Sequence, residues 1–282
     1  MRNLLIDSAA RLSLGPHARR ASQDAELLLL YTLGKDKAWL MAHDGEEISA
    51  DDAGLYAEML VRRCLGEPMQ YIVGETEFYG LPFRVTPDVL IPRPETEHLV
   101  ETVIELADRF KTPRIVDVGT GSGAIAVALA SHLKGAAITA IDISAMALAV
   151  ARQNAEMNGV LQRIDLAEGD LLEPVAERQF EIVVSNPPYV PEIDRATLSV
   201  EVRDHEPAIA LFAGGDGLDI YRRLIPASFG VLVAGGLVAL EIGYGQSVSV
   251  GELLSASGFQ QIESFSDLQN IPRVAVARRP EF

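Results

Sequence analysis

The spacing of apolar residues divides the chain into stretches of different character. Up to about residue 70 the pattern is helical. Asp24 to Leu33 is Leu-rich and closes at Gly34, a residue suited to the left-handed turn that follows a helix. Ser49, followed by Ala-Asp-Asp, predicts a second helix start, with a capping hydroxyl and acids in the first turn. Leu55, Met59 and Leu60 give that helix an apolar face, and Gly66 with Pro68 ends it. Trp39-Leu-Met marks one more short helix between them. Residues 71–93 are β-rich and aromatic, with Gly80 placed as the turn of a hairpin. Helical spacing returns from Thr96 to Phe110, where Leu99, Val100, Val103, Ile104, Ala107 and Phe110 share a face.

From there on strands alternate with helices. Strands are expected near 114–118, 137–142, 162–167, 180–185, 236–242, 259–265 and 273–278. That alternation predicts an α/β fold with a mostly parallel sheet covered on both faces. The last two strands are joined only by a short loop around Asn270, so that pair is expected to be antiparallel. The resulting division is a helical domain over 1–70, a β-hairpin linker over 71–93 and an α/β domain over 94–282.

Composition narrows the function classes. The 282 residues, 48% hydrophobic and 23% charged, are ordinary globular material for one or two domains. The net charge of −16 falls mostly beyond residue 70 and weighs against a function that rests on a duplex phosphate backbone. No direct nucleic-acid partner is expected. The single Cys64 excludes an internal disulfide and a multi-cysteine zinc site, which points to a reducing compartment. The first residues have no long apolar core of a secretory signal, and no stretch approaches the roughly 18 apolar residues of a membrane span. The expectation is a cytoplasmic monomer without a membrane partner.

Candidate chemistry begins at Ile115-Val-Asp-Val-Gly-Thr-Gly-Ser-Gly, where a strand runs into a helix. Gly119, Gly121 and Gly123, with Thr120 and Ser122 between them, allow a sharp turn and the close approach of a ligand. Gly119, Gly121 and Ala124 also satisfy a dinucleotide fingerprint, with Asp142 some twenty residues on. Three acids separate the ligands. Asp117 could meet a cationic amine where a pyrophosphate would be repelled, Asp142 could accept two ribose hydroxyls, and Asp170 could take an adenine amino group, with Leu171 against the ring. Together they describe S-adenosylmethionine better than a nicotinamide dinucleotide. Each acid taken singly could equally be a helix cap or a loop carboxylate.

The second constellation is Asn186-Pro187-Pro188-Tyr189 at the end of the fourth strand, on the sheet edge where α/β proteins bind ligands. The two prolines stiffen the backbone and remove two donors, so carbonyls there can face a ligand as acceptors. Asn186 adds a side-chain oxygen, and Tyr189 can lie against a planar group. Two such acceptors can grip both N–H bonds of a planar –NH2 and aim its nitrogen at an electrophilic methyl group. An amide nitrogen is a poor nucleophile because its lone pair is delocalised; positioning can supply roughly 7–11 kcal/mol in favourable cases. No general base is demanded, because the nitrogen becomes acidic once methylated. The five histidines, at 17, 43, 98, 132 and 205, are scattered, and no metal set is evident.

The glycine loop together with Asn186-Pro-Pro-Tyr resembles the class I amino-group methyltransferases, whose sheet is Rossmann-like with an antiparallel last strand. Further segments narrow the resemblance: Gly66-Glu-Pro-Met-Gln-Tyr-Ile-Val-Gly, Phe78-Tyr-Gly-Leu-Pro-Phe, Ile91-Pro-Arg-Pro-Glu-Thr-Glu, Glu206-Pro-Ala-Ile-Ala-Leu and Gly214-Gly-Asp-Gly-Leu-Asp. In this order they resemble, over the full length, the HemK/PrmC-type peptide chain release factor glutamine methyltransferases. The resemblance implies S-adenosylmethionine bound by Gly119 to Gly123, Asp142 and the Asp170-Leu171 corner. It implies a substrate glutamine, in the Gly-Gly-Gln loop of class 1 release factors, bound by Asn186 to Tyr189, with Asn186 next to the cofactor methyl as well. It also implies that the helical domain docks the substrate. Leu171 departs from the bulky aromatic common in the family. Sister enzymes that modify a glutamine of a large-subunit ribosomal protein are the nearest alternative, and nucleic-acid amino methyltransferases share the tetrapeptide; the Pro-Arg-Pro-Glu-Thr-Glu run favours release factors.

Overall fold

A computed structural model describes residues 1–281. The chain opens with five helices, α1 (Arg2–Leu12), α2 (Ala21–Leu33), α3 (Lys37–His43), α4 (Ala50–Cys64) and α5 (Met69–Val73). A hairpin of β1 (Glu75–Phe78) and β2 (Leu81–Arg84) follows, then α6 (Pro94–Ala107). The alternating part is β3 (Arg114–Val118), α7 (Ala124–His132), β4 (Ala137–Asp142), α8 (Ala145–Met157), β5 (Ile164–Glu168) and β6 (Phe180–Ser185). It closes with α9 (Val200–His205), α10 (Asp219–Val231), β7 (Leu232–Glu241), α11 (Ser247–Ala256), β8 (Gln260–Ser266) and β9 (Pro272–Arg278).

Two compact units emerge. The first is Met1–Glu75 together with Leu198–His205. Its core joins Leu12, Leu28, Leu29, Leu40, Tyr56 and Leu60. Ser49 caps α4 by accepting from the Asp52 N–H, and Gly34 ends α2 in the left-handed conformation, both as the sequence predicts. Leu55 does not belong to the buried face; it is 45% exposed. That face is Tyr56, Met59, Leu60 and Arg63, at helical spacing. The pattern was hard to read because its last member is charged. Arg63 is buried because Asp24 takes its Nε at 2.7 Å, the Glu67 carbonyl takes Nη1 at 2.8 Å and Glu201 takes Nη1 at 2.5 Å. A buried guanidinium needs such partners.

The second unit spans Thr76–Thr197 and the residues from Glu206 on. The β-rich reading of 71–93 holds for the hairpin only: Tyr71–Val73 finish helix α5, and residues 85–93 form no strand. The hairpin turns at Tyr79-Gly80, both at positive φ (53° and 71°), the two-residue turn whose twist matches its strands. The main sheet has the order β5-β4-β3-β6-β7-β9-β8. β5, β4, β3, β6 and β7 pair in parallel, and β9 is antiparallel to both β7 and β8. Successive strand residues alternate between two cores. Ile115, Ile138, Ile182 and Val184 face α6, α7 and α8, whereas Val116, Ile141, Val183 and Val238 face α10 and α11. The chain leaves β3 toward β4 and β5 and returns to β6 on the other side. The crevice between the ends of β3 and β6 is therefore the switch point where such sheets bind ligands.

Candidate functional site

The carboxyl ends of β3, β4 and β6 and the turn after β5 open onto one cavity of about 420 Å³, a size suited to a nucleoside-containing ligand. Gly119 and Gly121 line it from the β3 end, Asp142 from β4, Asp170 and Leu171 from the turn after β5, and Asn186 and Pro188 from β6. Apolar side chains such as Val89, Ile143 and Ile209 complete the wall. Asp117, Thr120, Ser122, Gly123, Pro187 and Tyr189 are not among the residues that line the cavity.

The glycine loop is held mostly by backbone. The N–H groups of Gly119 and Thr120 both donate to the Ile141 carbonyl at 2.9 Å. The Gly121 N–H donates to Asp142 Oδ2 at 2.8 Å, and Ser144 N–H donates to Oδ1 at 2.9 Å. Those donors offset the burial that pushes the Asp142 carboxyl upward. Gly123, at φ +79°, starts α7 where a Cβ would lie 3.0 Å from the Ala151 Cβ, so only glycine lets α7 and α8 come this close. Asn154, fully buried on α8, ties the loop down. Its Nδ2 donates to the Ser122 carbonyl at 2.8 Å and to the Arg84 carbonyl at 3.0 Å, and its Oδ1 accepts from Arg84 N–H.

Asp117 has no exposed surface. Its Oδ2 accepts the Thr120 hydroxyl at 2.6 Å, while Oδ1 is buried without a partner. The Ala126 N–H in the first turn of α7 favours the charged form of the carboxylate. Burial, with a smaller contribution from Asp142, outweighs these bonds and raises its pKa to about 7. Asp170 meets a residue that sequence reasoning missed: Arg223 of α10 lies on the cavity wall and pairs with it at 2.5 Å. Leu171 beside it sits at φ 51°, an unusual conformation for a branched side chain.

The β6 corner is held by side chains from elsewhere. Asn186 Nδ2 donates to the hydroxyl of Thr96, in the first turn of α6, at 3.0 Å. The Tyr189 phenol does not reach into the cavity; it donates to Glu241 Oε1, at the end of β7, at 3.3 Å. Burial, then the Glu241 charge, lifts the Tyr189 pKa far above its ordinary value. The Tyr189 carbonyl accepts Gln246 Nε2 at 3.0 Å. Glu241 is buried, its Oε2 has no hydrogen-bond partner, and burial raises its pKa to about 7 against the hydrogen bond from Tyr189. Thr96, Glu241, Gln246, Asn154 and Arg223 were all missed as site residues. Thr96 alone carried a signal, inside the Pro-Arg-Pro-Glu-Thr-Glu run. Among the described residues no His, Cys, Asp and Glu group could hold a metal ion, and no helix is long and apolar enough to cross a membrane.

Comparison with known proteins agrees with this geometry. Residues 8–74 match the family described as PrmC N-terminal domain, and residues 95–209 match the methyltransferase small domain. A solved ribosomal protein L11 methylase from Lactobacillus delbrueckii subsp. bulgaricus is 27% identical with a TM-score of 0.51, covering 70% of this chain and 85% of that one. The release factor glutamine methyltransferase of Koribacter versatilis is 44% identical over 257 residues, 91% of this chain and 90% of its own. That of Moorella thermoacetica is 41% identical over 282 residues, 100% of this chain and 99% of its own. The Moorella match spans the full length of this chain, and the chain belongs to the family of release factor glutamine methyltransferases.

Proposed function

We propose that this protein transfers a methyl group from S-adenosylmethionine to the side-chain amide nitrogen of the glutamine in the Gly-Gly-Gln loop of class 1 release factors. The observation that carries this reading is Asn186, which lines the cavity beside the glycine loop with its Nδ2 already donated to Thr96. Its Oδ1 is then the atom left to accept an N–H from a planar amide. Pro187 and Pro188 stiffen the adjoining backbone so that a carbonyl can take the second N–H. Pinned in this way, the amide nitrogen is aligned for attack, and it sheds its proton once the new N–C bond has formed.

The residues present fit the cofactor. Asp142 accepts one N–H on each oxygen and retains lone pairs for two ribose hydroxyls. Leu171 is placed for the adenine face, and Asp170, steadied by Arg223, for its amino group. The unpartnered Oδ1 of Asp117 puts a potential negative charge behind Gly119, at the end meant for the amine. S-adenosylmethionine supplies an electrophilic methyl group on a sulfonium. Glycines 119, 121 and 123, with Thr120 and Ser122, shape the turn that receives it. The helical unit is the part we assign to docking the release factor, with the enzyme acting as a monomer in the cytoplasm.

The test supplies purified protein with a labelled methyl donor and, in parallel, a release factor, a ribosomal protein substrate and DNA. Label on the glutamine of the release factor is expected. Label confined to ribosomal protein or DNA, or absent from all three, overturns the reading.

A further inference from the structure

We propose that Arg93 and Glu206 are positioning residues whose ion pair fixes residues 207–210 as a strap at the rim of the cavity, where it slows the release of bound S-adenosylmethionine. The inference deepens the reading above and rests on its assignment of the cofactor.

Two segments singled out in the sequence have no part in the chemistry so far, Ile91-Pro-Arg-Pro and Glu206-Pro-Ala-Ile-Ala-Leu. Each sets a charged residue beside a proline. The fold brings these charges together across 113 residues, with Arg93 Nη2 donating to Glu206 Oε1 at 2.5 Å. The Glu206 side chain is buried and that of Arg93 is partly so. Withdrawing a carboxylate from water is costly without a partner, and a buried ion pair gains little net stability over apolar packing. What it gains here is position, because a guanidinium and a carboxylate meet in few geometries.

Both charges adjoin walls of the cavity. Residues 87–90, just before Arg93, line it, and so do Pro207, Ile209 and Ala210, just after Glu206. Neither wall belongs to the sheet: residues 85–93 form no strand, and Pro207 opens a short 3-10 turn over Ala208–Ala210. That turn is closed on itself, with the Ala210 N–H donating to the Pro207 carbonyl at 2.9 Å and the Phe212 N–H to the Ala208 carbonyl at 3.0 Å. Its far end is pinned by Val190, the residue after the tetrapeptide. Val190 donates its N–H to the Leu211 carbonyl at 2.9 Å and accepts the Ala213 N–H at 3.0 Å. The strap is thus held by backbone at one end and by the Arg93–Glu206 ion pair at the other.

Ile209 indicates what the strap is for. It is 64% exposed and yet lines the cavity, so it stands at the rim. Gly119, Asp142 and Asp170 line the same cavity from the ends of the strands. A ligand seated on those ends leaves past the rim. An apolar side chain there covers the ligand without a polar contact that the reaction would have to break. A strap fixed at both ends keeps that cover in place, and loosening its latch opens it. The effect falls on dissociation, because a loosened wall leaves the way in unobstructed.

The experiment measures, in the full chain and without release factor, cofactor affinity and the rate at which labelled S-adenosylmethionine is released into an excess of unlabelled cofactor. The variants are Arg93→Met, Glu206→Gln, the two combined, and Ile209→Ser. Arg114→Met, which removes the Arg114–Glu181 ion pair at the start of β3, controls for losing an ion pair as such. Arg93→Met and Glu206→Gln are each expected to speed release ~10-fold, with affinity falling by the same factor. The double variant matches the faster single one, since both changes remove one interaction. Hydrogen exchange at the Ala210 and Phe212 amides rises in the same variants. Ile209→Ser, at an exposed position, speeds release ~3-fold through lost apolar cover and leaves the melting temperature unchanged. Release that is unaltered in the Arg93, Glu206 or Ile209 variants, additive in the double variant, or equally fast in Arg114→Met overturns the proposal. Ile209→Ser decides it should the buried variants fail to fold. A wild type that binds S-adenosylmethionine but methylates no release factor refutes the functional reading alone, whereas one that binds no S-adenosylmethionine refutes both.

Discussion

The glycine loop after β3 and the tetrapeptide after β6 lie on the same cavity, yet they are built in opposite ways. The loop is nearly self-contained. Its turns are closed mainly by backbone N–H groups, and its longest sequence step is the 32 residues from Ser122 to Asn154. The tetrapeptide depends on remote side chains: Thr96 lies 90 residues before Asn186, Glu241 lies 52 residues after Tyr189, and Gln246 lies 57 after it. A site made of backbone needs glycine at fixed intervals and reveals itself in a short window. A site held by remote side chains shows only its own short segment, and the partners are dispersed. The two designs should also fail differently.

The largest effect should come from the corner. Asn186→Ala removes the acceptor aimed at the substrate amide and leaves the loop untouched. The expected loss is about 2–4 kcal/mol of transition-state stabilisation, with the fold and the cofactor affinity retained. Single-turnover rates beside cofactor titrations measure this directly, and a wild-type rate would show that Asn186 does not touch the reacting amide. Gly123→Ala tests the other design. A Cβ there meets Ala151 at 3.0 Å and is held at a positive φ, so the damage should be to stability, about 1–3 kcal/mol, with cofactor affinity falling alongside. Thermal unfolding with and without cofactor reads it. An undiminished melting temperature would mean that α7 and α8 can part without cost.

The contrast explains what could be read in advance. Parallel strands buried on both faces appear as apolar runs, so β3, β4 and β6 were placed correctly from the sequence, as was the antiparallel β8–β9 pair. β7 was expected to begin at 236, but it starts at Leu232 because Gly235-Gly236 interrupts the apolar run without ending the strand. Tyr71-Ile-Val has β-prone residues that predict strand, yet it forms the end of a short helix closed by Gly74 in the left-handed conformation. Within the site, Gly119, Gly121, Asp142, Leu171 and Asn186 were legible from position alone and do line the cavity. Tyr189 was expected to lie against a planar substrate group, whereas its phenol turns to Glu241. Nothing local to Tyr189 announces that partner: a glutamate at the end of an apolar strand looks like the point where the chain returns to solvent. Arg223 was equally hidden, since a polar residue on an amphipathic helix ordinarily faces water.

The smallest expected effect separates the two designs by pH. Asp117 belongs to the loop, and its carboxyl has a pKa raised to about 7 by burial. An acid whose pKa is higher folded than unfolded holds more protons in the folded state between those values. Its contribution to stability is therefore greatest at low pH and declines as pH rises toward 7. The cofactor reverses the preference, because a bound ammonium favours the carboxylate. Cofactor affinity should then weaken as pH falls below about 7, by at most tenfold per unit, and binding near pH 6 should release a proton. Calorimetry in two buffers of different ionisation enthalpy measures that release. Asp117→Asn should abolish it and flatten the affinity profile, while Glu241→Gln should leave both in place, because Glu241 serves the corner and not the loop. Proton release that survives Asp117→Asn would assign the coupling to Asp142, whose pKa is also raised, and would move the amine-binding charge from behind the loop to the wall of the cavity.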